Sequence, residues 1–326
     1  MFTATELIAN IRNYALPSIY PTQSIWPKHR RSAVMIILFI GNYGELRVLL
    51  TKRSRGLRAF SGHVSLPGGK ADNFIESPIE IARRESFEEI GLNYDDDLNI
   101  QGLELEHLNL LPCYLSRTFL SVRPVVCFLK NINQIDGKIS NMKFILNPGE
   151  TSSIFSIPLL DLITQINSSN HEYIKMTNAT HKWGLIPWPI QHYFYPTINK
   201  HEVSWLEEVV DLSSDEEIQD NDIKGLLKKN GGIKDVWGLT ARILYDLALV
   251  SIKGSTKGTF TIGNENLIYG LTEFGGQMLE NKRSDWESGM IVDNINHDFS
   301  QILPRYIFNK VAKEVKLPNQ TSIIAE

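Results

Sequence analysis

Residues 33–40 read AVMIILFI without a polar interruption, and a second apolar run at 46–51 follows Gly41-Asn42-Tyr43-Gly44. Two apolar runs joined by residues that tolerate positive φ predict a β-hairpin. From 77 to 90 the pattern becomes helical. Ser77 suits the N-cap, Pro78 the first helical position, Glu80 the third place after the cap, and Gly91 the stop. Further strands are predicted at 107–114, 120–129 and 143–146. Helices are predicted at 5–14, 158–166, 237–250, 267–280 and 299–315. Pro17, Pro21 and Pro27 interrupt the chain after the first helix, so residues 1–30 read as an N-terminal arm laid on the body. Residues 31–250 form the main domain and 251–326 a helical C-terminal extension.

The chain has 326 residues, with 33 basic and 37 acidic side chains, a net charge of −4, 42% apolar residues and 21% charged ones. This is the composition of an ordinary globular protein, and it excludes collagenous and low-complexity classes. So small a net charge supplies no general basic field, and no nucleic-acid partner is expected. The eight-residue run at 33–40 is far short of the roughly 20 apolar residues a membrane-spanning helix needs. The start, MFTATELIANIRNYAL, lacks a basic-then-apolar signal layout. A soluble, intracellular chain is expected, with no membrane span. Cys113 and Cys127 lie in apolar segments and read as buried thiols, not as a disulfide framework. Asn-x-Ser/Thr matches at Asn167, Asn178 and Asn319 read as chance in such a chain. Eight of the sixteen residues at 207–222 are acidic, which predicts a solvated, disordered insertion.

The chemistry concentrates in LPGGKADNFIESPIEIARRESFEEIGL, residues 66–92. On a helix, Glu88 lies about 60° to one side of Glu85 and Glu89 about 40° to the other, so the three share one face. Like charges this close repel unless a cation sits among them. Converging carboxylate oxygens suit Mg²⁺ or Mn²⁺, which also bind substrate phosphates. Pro67-Gly68-Gly69 supplies a tight loop whose backbone can approach a ligand. Glu76 is placed to pair with Arg84 and fix that loop to the helix.

Glu76, Arg84, Glu85, Glu88, Glu89, Gly91 and Leu92 resemble, residue by residue, the box of the Nudix hydrolases, G-x5-E-x7-R-E-U-x-E-E-x-G-U with U apolar. Two positions depart from it: six residues separate Gly69 from Glu76 instead of five, and the first U is Ser86. Upstream, LLTKRSRGLRAFSGHVSLPGG resembles the pattern L-L-T-x-R-[SA]-x3-R-x3-G-x3-F-P-G-G of the coenzyme A diphosphatase branch. Leu49, Leu50, Thr51, Arg53, Ser54, Arg58, Gly62, Pro67, Gly68 and Gly69 fit at fixed spacing, and Leu66 replaces Phe. Lys52 and Arg55 fall off the pattern and read as solvated charges. Weaker similarities at 115–129, 147–163 and 236–247 extend the resemblance over roughly 31–250, with 171–205 as an addition, and the overall pattern resembles the fungal peroxisomal members.

The resemblance implies an α/β fold, the Nudix α/β/α sandwich with a mixed sheet. It also implies metal-assisted attack of water on the diphosphate of coenzyme A or an acyl-CoA, yielding 3′,5′-ADP and 4′-phosphopantetheine. Glu85 and Glu89 are then the metal ligands, with Glu88 assisting and Arg84 in the catalytic set. Arg53, Arg58, Gly68 and Gly69 become substrate-binding residues, since Arg holds phosphate oxygens bidentately. Glu85 and Glu150 both stand as general base. Peroxisomal residence is implied by the resemblance alone, because Ile324-Ala325-Glu326 is not the Ser-Lys-Leu address. A different Nudix specificity (oxidised nucleotides, ADP-ribose, NADH or an RNA cap) is the alternative, and a non-catalytic sensor a further one. Trp183, Trp188 and Trp205 read as packing before stacking platforms, and His171, His181, His192 and His201 show no zinc-ligand spacing.

Overall fold

A computed structural model of the chain describes residues 2–16, 26–164, 171–207, 232–254, 262–280 and 282–314. The central element is β1 (Arg31–Ile40), which runs parallel to β7 (Ser121–Asn131) from Arg31↔Ser121 to Leu38↔Phe128. β2 (Leu46–Arg53) pairs antiparallel with β1 only near the turn, from Leu38↔Val48 to Ile40↔Leu46. Beyond that point the two strands part. The gap is filled by β3 (Val64–Ser65), bound to β2 at Thr51 and Lys52, and by β4 (Gly68–Lys70), bound to β1 at Ser32, Ala33 and Val34. The two glycines are thereby built into the sheet as part of a strand. β5 (Leu103–Leu110) and the short β6 (Tyr114–Leu115) pair with β7, and β8 (Thr151–Pro158) covers the outer edge of β2, completing an eight-stranded mixed sheet.

Because side chains alternate along a strand, β1 feeds two cores. Met35, Ile37 and Phe39 point to one face, packed with Ile81, Ala82 and Ile90 of a helix spanning Pro78–Ile90. Ile36, Leu38 and Ile40 point to the other, packed with Leu7, Ile8 and Ile11 of α1 (Ala4–Arg12) and with a helix spanning Gly238–Lys253. We label the helices of the first core and its edge α2 (Pro78–Ile90) and α3 (Asp95–Ile100), the turn Ser204–Glu207 α4, and the second-face helix α5 (Gly238–Lys253). Helices on both faces of a mixed sheet make the α/β/α sandwich. Among the described residues no helix is long and apolar enough to cross a membrane.

The region 171–205 is organised quite unlike an irregular addition. β9 (Lys175–Trp183) and β10 (Ile186–Pro196) form a long hairpin, and β11 (Ile233–Trp237) adds a third antiparallel strand. Tyr193, Tyr195 and Val236 of this second sheet enter the second-face core. A third cluster unites Trp26, Phe119, Ile186 and Phe299 with α6 (Glu265–Phe274), α7 (Asp285–Ile291) and α8 (Arg305–Glu314). Buried in it, Arg30 and Glu287 form a bidentate ion pair that ties the segment before β1 to α7.

Several boundaries differ from the sequence reading. Of the helix expected at 158–166, the described residues 158–164 give only a 3-10 turn, Leu159–Ile163, with 165 and 166 outside the described residues, and 143–146 forms no strand. In the latter segment Ile145 and Asn147 donate their N–H groups to the last carbonyls of α2 instead of to a ladder. Pro304 breaks the helix expected at 299–315 into a 3-10 turn at Phe299–Gln301 and α8. Residues 208–222 of the acidic segment, together with Pro17, Pro21, Asn167, Asn319 and the last three residues, lie outside the described residues.

Candidate active site

α2 begins with a full capping box, Ser77 and Glu80 each bonding the other's backbone, with Pro78 in the first turn. It ends at Gly91, whose φ of 65° is left-handed. Ser86, the polar residue at an apolar position of the box, is wholly buried, and its hydroxyl donates to Ala82 O at 2.7 Å. It fills an apolar slot without stranding a hydroxyl.

Arg84 is the hub of the segment. Its Nε donates to Glu76 Oε1 at 2.8 Å, Nη1 to Glu85 Oε1 at 3.0 Å and to Glu88 Oε2 at 3.2 Å, and Nη2 to Lys70 O at 2.9 Å. Glu76 in turn accepts from the Asp72 N–H at 2.8 Å, so the expected pair does fasten the loop to the helix. In this longer loop Phe74 and Ile75 stand exposed, while Arg31 Nη2 donates to the Phe74 carbonyl at 2.8 Å.

Glu85 and Glu89 face the two glycines. A Cβ on Gly69 would lie 2.3 Å from the Glu85 carboxyl, and one on Gly68 would lie 2.3 Å from Ala33 O. The Gly68 N–H donates to Glu89 Oε2 at 3.2 Å. Burial pushes the Glu89 carboxyl up to about 8; the Gly68 N–H and the Arg53 charge act against that rise, while Glu85 and Glu150 add to it. Burial likewise raises Glu85, which Glu88 and Glu150 raise further and Arg84 opposes. Three carboxylates, Glu85, Glu89 and Glu150, thus share one electrostatic neighbourhood with Arg53. Among the described residues the buried Nε of Arg53 has no hydrogen-bond partner, although an orphan guanidinium N–H is costly to bury.

The helix geometry also separates what the wheel grouped together. Glu85 and Glu89 turn inward beside Ser86 and Ile90, whereas Glu88, on the opposite shoulder, is 48% exposed and engages Arg84. Among the described residues no three His, Cys, Asp or Glu side chains stand in metal-ligating geometry. The donors nonetheless fit a hard divalent cation: repelling carboxylates, one of them held above its ordinary range by burial, beside a glycine backbone with no side chain in the way.

Of the predicted substrate residues, Arg53, Gly68 and Gly69 come together with the glutamates, whereas Arg58 stands exposed in the loop after β2. Lys52 is corrected from a solvated charge to a buried residue, 6% exposed, because strand alternation sends it to the second-face core opposite Arg53. Cys113 and Cys127 are buried free thiols. Trp205 packs on Phe39 and Trp183 on Phe119, as expected of core aromatics. Trp237 and His63, beside the same loop, were not singled out from the sequence. No spacing rule connects them, and they meet only because β11 lies against β3.

A glycine-lined strand facing two inward glutamates, with an arginine pinning the loop to the helix, defines a site of Nudix type. Residues 29–175 match the family model of the NUDIX domain, and the chain belongs to the Nudix hydrolases, enzymes that work with divalent metal ions. It is 44% identical over 332 residues, 94% of each chain, to "Peroxisomal coenzyme A diphosphatase 1, peroxisomal" of Saccharomyces cerevisiae. "Nudix hydrolase 15, mitochondrial" of Arabidopsis thaliana is 35% identical over 55% of this chain and 54% of its own. "Peroxisomal coenzyme A diphosphatase ndx-8" of Caenorhabditis elegans is 32% identical over 42% of this chain and 53% of its own. The matches to these two span about half of each relative.

Proposed function

We propose that this Nudix hydrolase cleaves the diphosphate of coenzyme A and its acyl derivatives, releasing 3′,5′-ADP and 4′-phosphopantetheine or its acyl form. The observation that carries the reading is Arg53. It belongs to the coenzyme A pattern, it sits within electrostatic reach of Glu89, and its buried Nε has no hydrogen-bond partner among the described residues, as suits a donor awaiting a phosphate oxygen. The likeness to the yeast enzyme over nearly the whole chain supports it.

In this reading Glu85 and Glu89 hold Mg²⁺ or Mn²⁺ against the Gly68-Gly69 strand, and Glu88 assists from the rim. Bound there, the ion supplies charge neutralisation for the transferring phosphoryl group and activation of water. Arg84 keeps the glutamates oriented while Glu76 anchors it. Arg53 binds and orients the diphosphate, and Glu85 or Glu150 takes the proton of the attacking water. Arg58, exposed in its loop, reaches substrate from the outside. Peroxisomal residence, as in the yeast and nematode relatives by their names, is part of the same proposal.

The test offers the purified chain coenzyme A, acetyl-CoA, ADP-ribose, NADH and 8-oxo-dGTP, each with Mg²⁺ and with Mn²⁺. The highest kcat/KM is expected on a coenzyme A compound. A clear preference for any of the other three substrates would replace this reading with that specificity.

A further inference from the structure

A half-open row of aromatic rings begins one strand away from Arg53. The Arg53 N–H donates to His63 O at 2.9 Å and the Gly62 N–H returns to Arg53 O at 3.2 Å, so Arg53 and His63 face each other across the closing end of the loop. The His63 ring lies 5.7 Å from Phe60 and 5.2 Å from Trp237. Trp237 is stacked on His192 at 5.1 Å with the planes 6° apart, and His192 Nδ1 lies 2.9 Å from Asp235 Oδ2. Strand pairing sets this partnership, since His192 and Trp237 are register partners in β10 and β11. The row is therefore assembled from three segments and braced from behind.

It is not covered like the aromatic rings of the cores. Trp26, Trp205, Tyr193 and Tyr195 are at most 2% exposed, whereas Phe60 is 48% exposed and His63, Trp237 and His192 are each partly open. Phe60 also holds a φ of 54°, a left-handed conformation that is strained for a non-glycine residue, with its ring on the surface. Core burial, the usual return for an aromatic side chain, does not account for this placement.

We propose that His63 and Trp237, flanked by Phe60, form the stacking surface for the purine base of the substrate. The inference rests on the reading of the chain as a coenzyme A diphosphatase and assigns that substrate its direction across the site. The base is joined to its phosphate by one ribose, so it must settle close to whatever binds the diphosphate. The backbone hydrogen bonds of Arg53 with His63 and Gly62 put the His63 end of the row next to Arg53. The pantetheine arm has no π face and would require amide partners; a row of rings suits a flat heterocycle.

The test measures kcat and KM on coenzyme A, and inhibition by each product, for Trp237→Leu, Trp237→Phe and His63→Ala. Base stacking is typically worth about 1–3 kcal/mol, so Trp237→Leu is expected to raise KM by roughly 5- to 150-fold, with a smaller effect on kcat. It should weaken inhibition by 3′,5′-ADP to a similar degree and leave that by 4′-phosphopantetheine alone. Trp237→Phe should recover most of the loss. His63→Ala, whose ring is not part of a core, should repeat the pattern more weakly. Unchanged inhibition by 3′,5′-ADP in both Trp237→Leu and His63→Ala overturns the assignment, and so does a loss confined to 4′-phosphopantetheine. If the wild type does not cleave coenzyme A, the functional reading has failed by itself; calorimetric binding of 3′,5′-ADP to wild type and Trp237→Leu then decides the platform separately.

Discussion

The segment Gly68–Gly91 and the second sheet are both dense in polar contacts, but they draw their partners from different distances along the chain. Arg84 finds Glu76, Glu85, Glu88 and Lys70 within 14 positions. In the second sheet His192 meets Asp235 43 positions away, and the Gly184 N–H meets Asn296 112 positions away. A network of the first kind is fixed by helix periodicity and one loop, and it survives as a spacing rule. A network of the second kind depends on how strands from distant parts of the chain meet. On the proposed reading, the chemistry falls to the local segment, and substrate shape and stability to the distant one.

The sharpest break of that assignment is Glu89→Gln. It keeps the shape of the side chain and the acceptor for Gly68 but removes a charge facing the glycine strand, so kcat should fall by at least about two orders of magnitude. Thermal melting should show the variant folded, and near-normal turnover at saturating Mg²⁺ would end the ligand assignment. Next comes Arg53→Ala, which removes a charge-assisted contact worth about 1.5–3 kcal/mol, or roughly 10- to 150-fold in kcat/KM. Arg58→Ala should cost clearly less, because Arg58 stands exposed. Equal losses on coenzyme A and dephospho-coenzyme A place the Arg53 contact on the diphosphate; a loss confined to coenzyme A places it on the 3′-phosphate. Arg84→Ala should weaken apparent Mn²⁺ affinity and rate by about 10- to 100-fold without removing any ligand, which a Mn²⁺ titration reads directly.

Changes in the distant region away from Trp237 and His192 should leave chemistry alone and alter stability. Gly184 has a φ of 60°, and a Cβ there would lie 2.0 Å from the Phe299 ring. Gly184→Ala should therefore destabilise by about 1–3 kcal/mol, a drop of several degrees in Tm, with normal kcat per folded molecule. Asp161 tests the same region through pH. Burial chiefly, with the Glu172 charge beside it, raises its carboxyl to about 7 from an ordinary 3.8, so between those values the folded chain holds a proton that the unfolded chain has released. Its contribution to stability is thus fully present at low pH and declines as pH rises toward 7. Asp161→Asn keeps an acceptor for the Glu172 N–H and the Tyr195 hydroxyl and carries no such charge. Its Tm relative to wild type should climb by a few degrees between pH 5 and 8, as scanning calorimetry would show; a constant difference would mean that the carboxyl titrates normally.

The same distinction explains what could be read from the sequence. The hairpin, α2 with both its caps and the Glu76–Arg84 pair all follow from local rules, and the structure carries each of them, whereas the inward turn of Glu85 and Glu89 comes from packing. Glu88 was grouped with its neighbours because the wheel gives angles but not the depth of packing that turns one shoulder to solvent. Arg53 and Lys52, adjacent in sequence, go to opposite faces, and nothing local shows that both faces are covered. The strands of 171–205 do not stand out in the sequence because β9 buries none of its residues, with 178–182 all exposed, and β10 carries Pro187 and Pro189, so neither shows clean alternation. His63 and Trp237 were invisible as a pair for the reason that makes them interesting: their meeting is a product of the completed fold.

The most direct test of the account is to incubate the chain with coenzyme A and Mg²⁺ in water labelled with heavy oxygen and to weigh the products. Two products are predicted, 3′,5′-ADP and 4′-phosphopantetheine, with one labelled oxygen carried by one of them and both formed at least about a hundredfold more slowly by Glu89→Gln. Intact coenzyme A, or loss of the 3′-phosphate alone, would contradict hydrolysis of the diphosphate at this site.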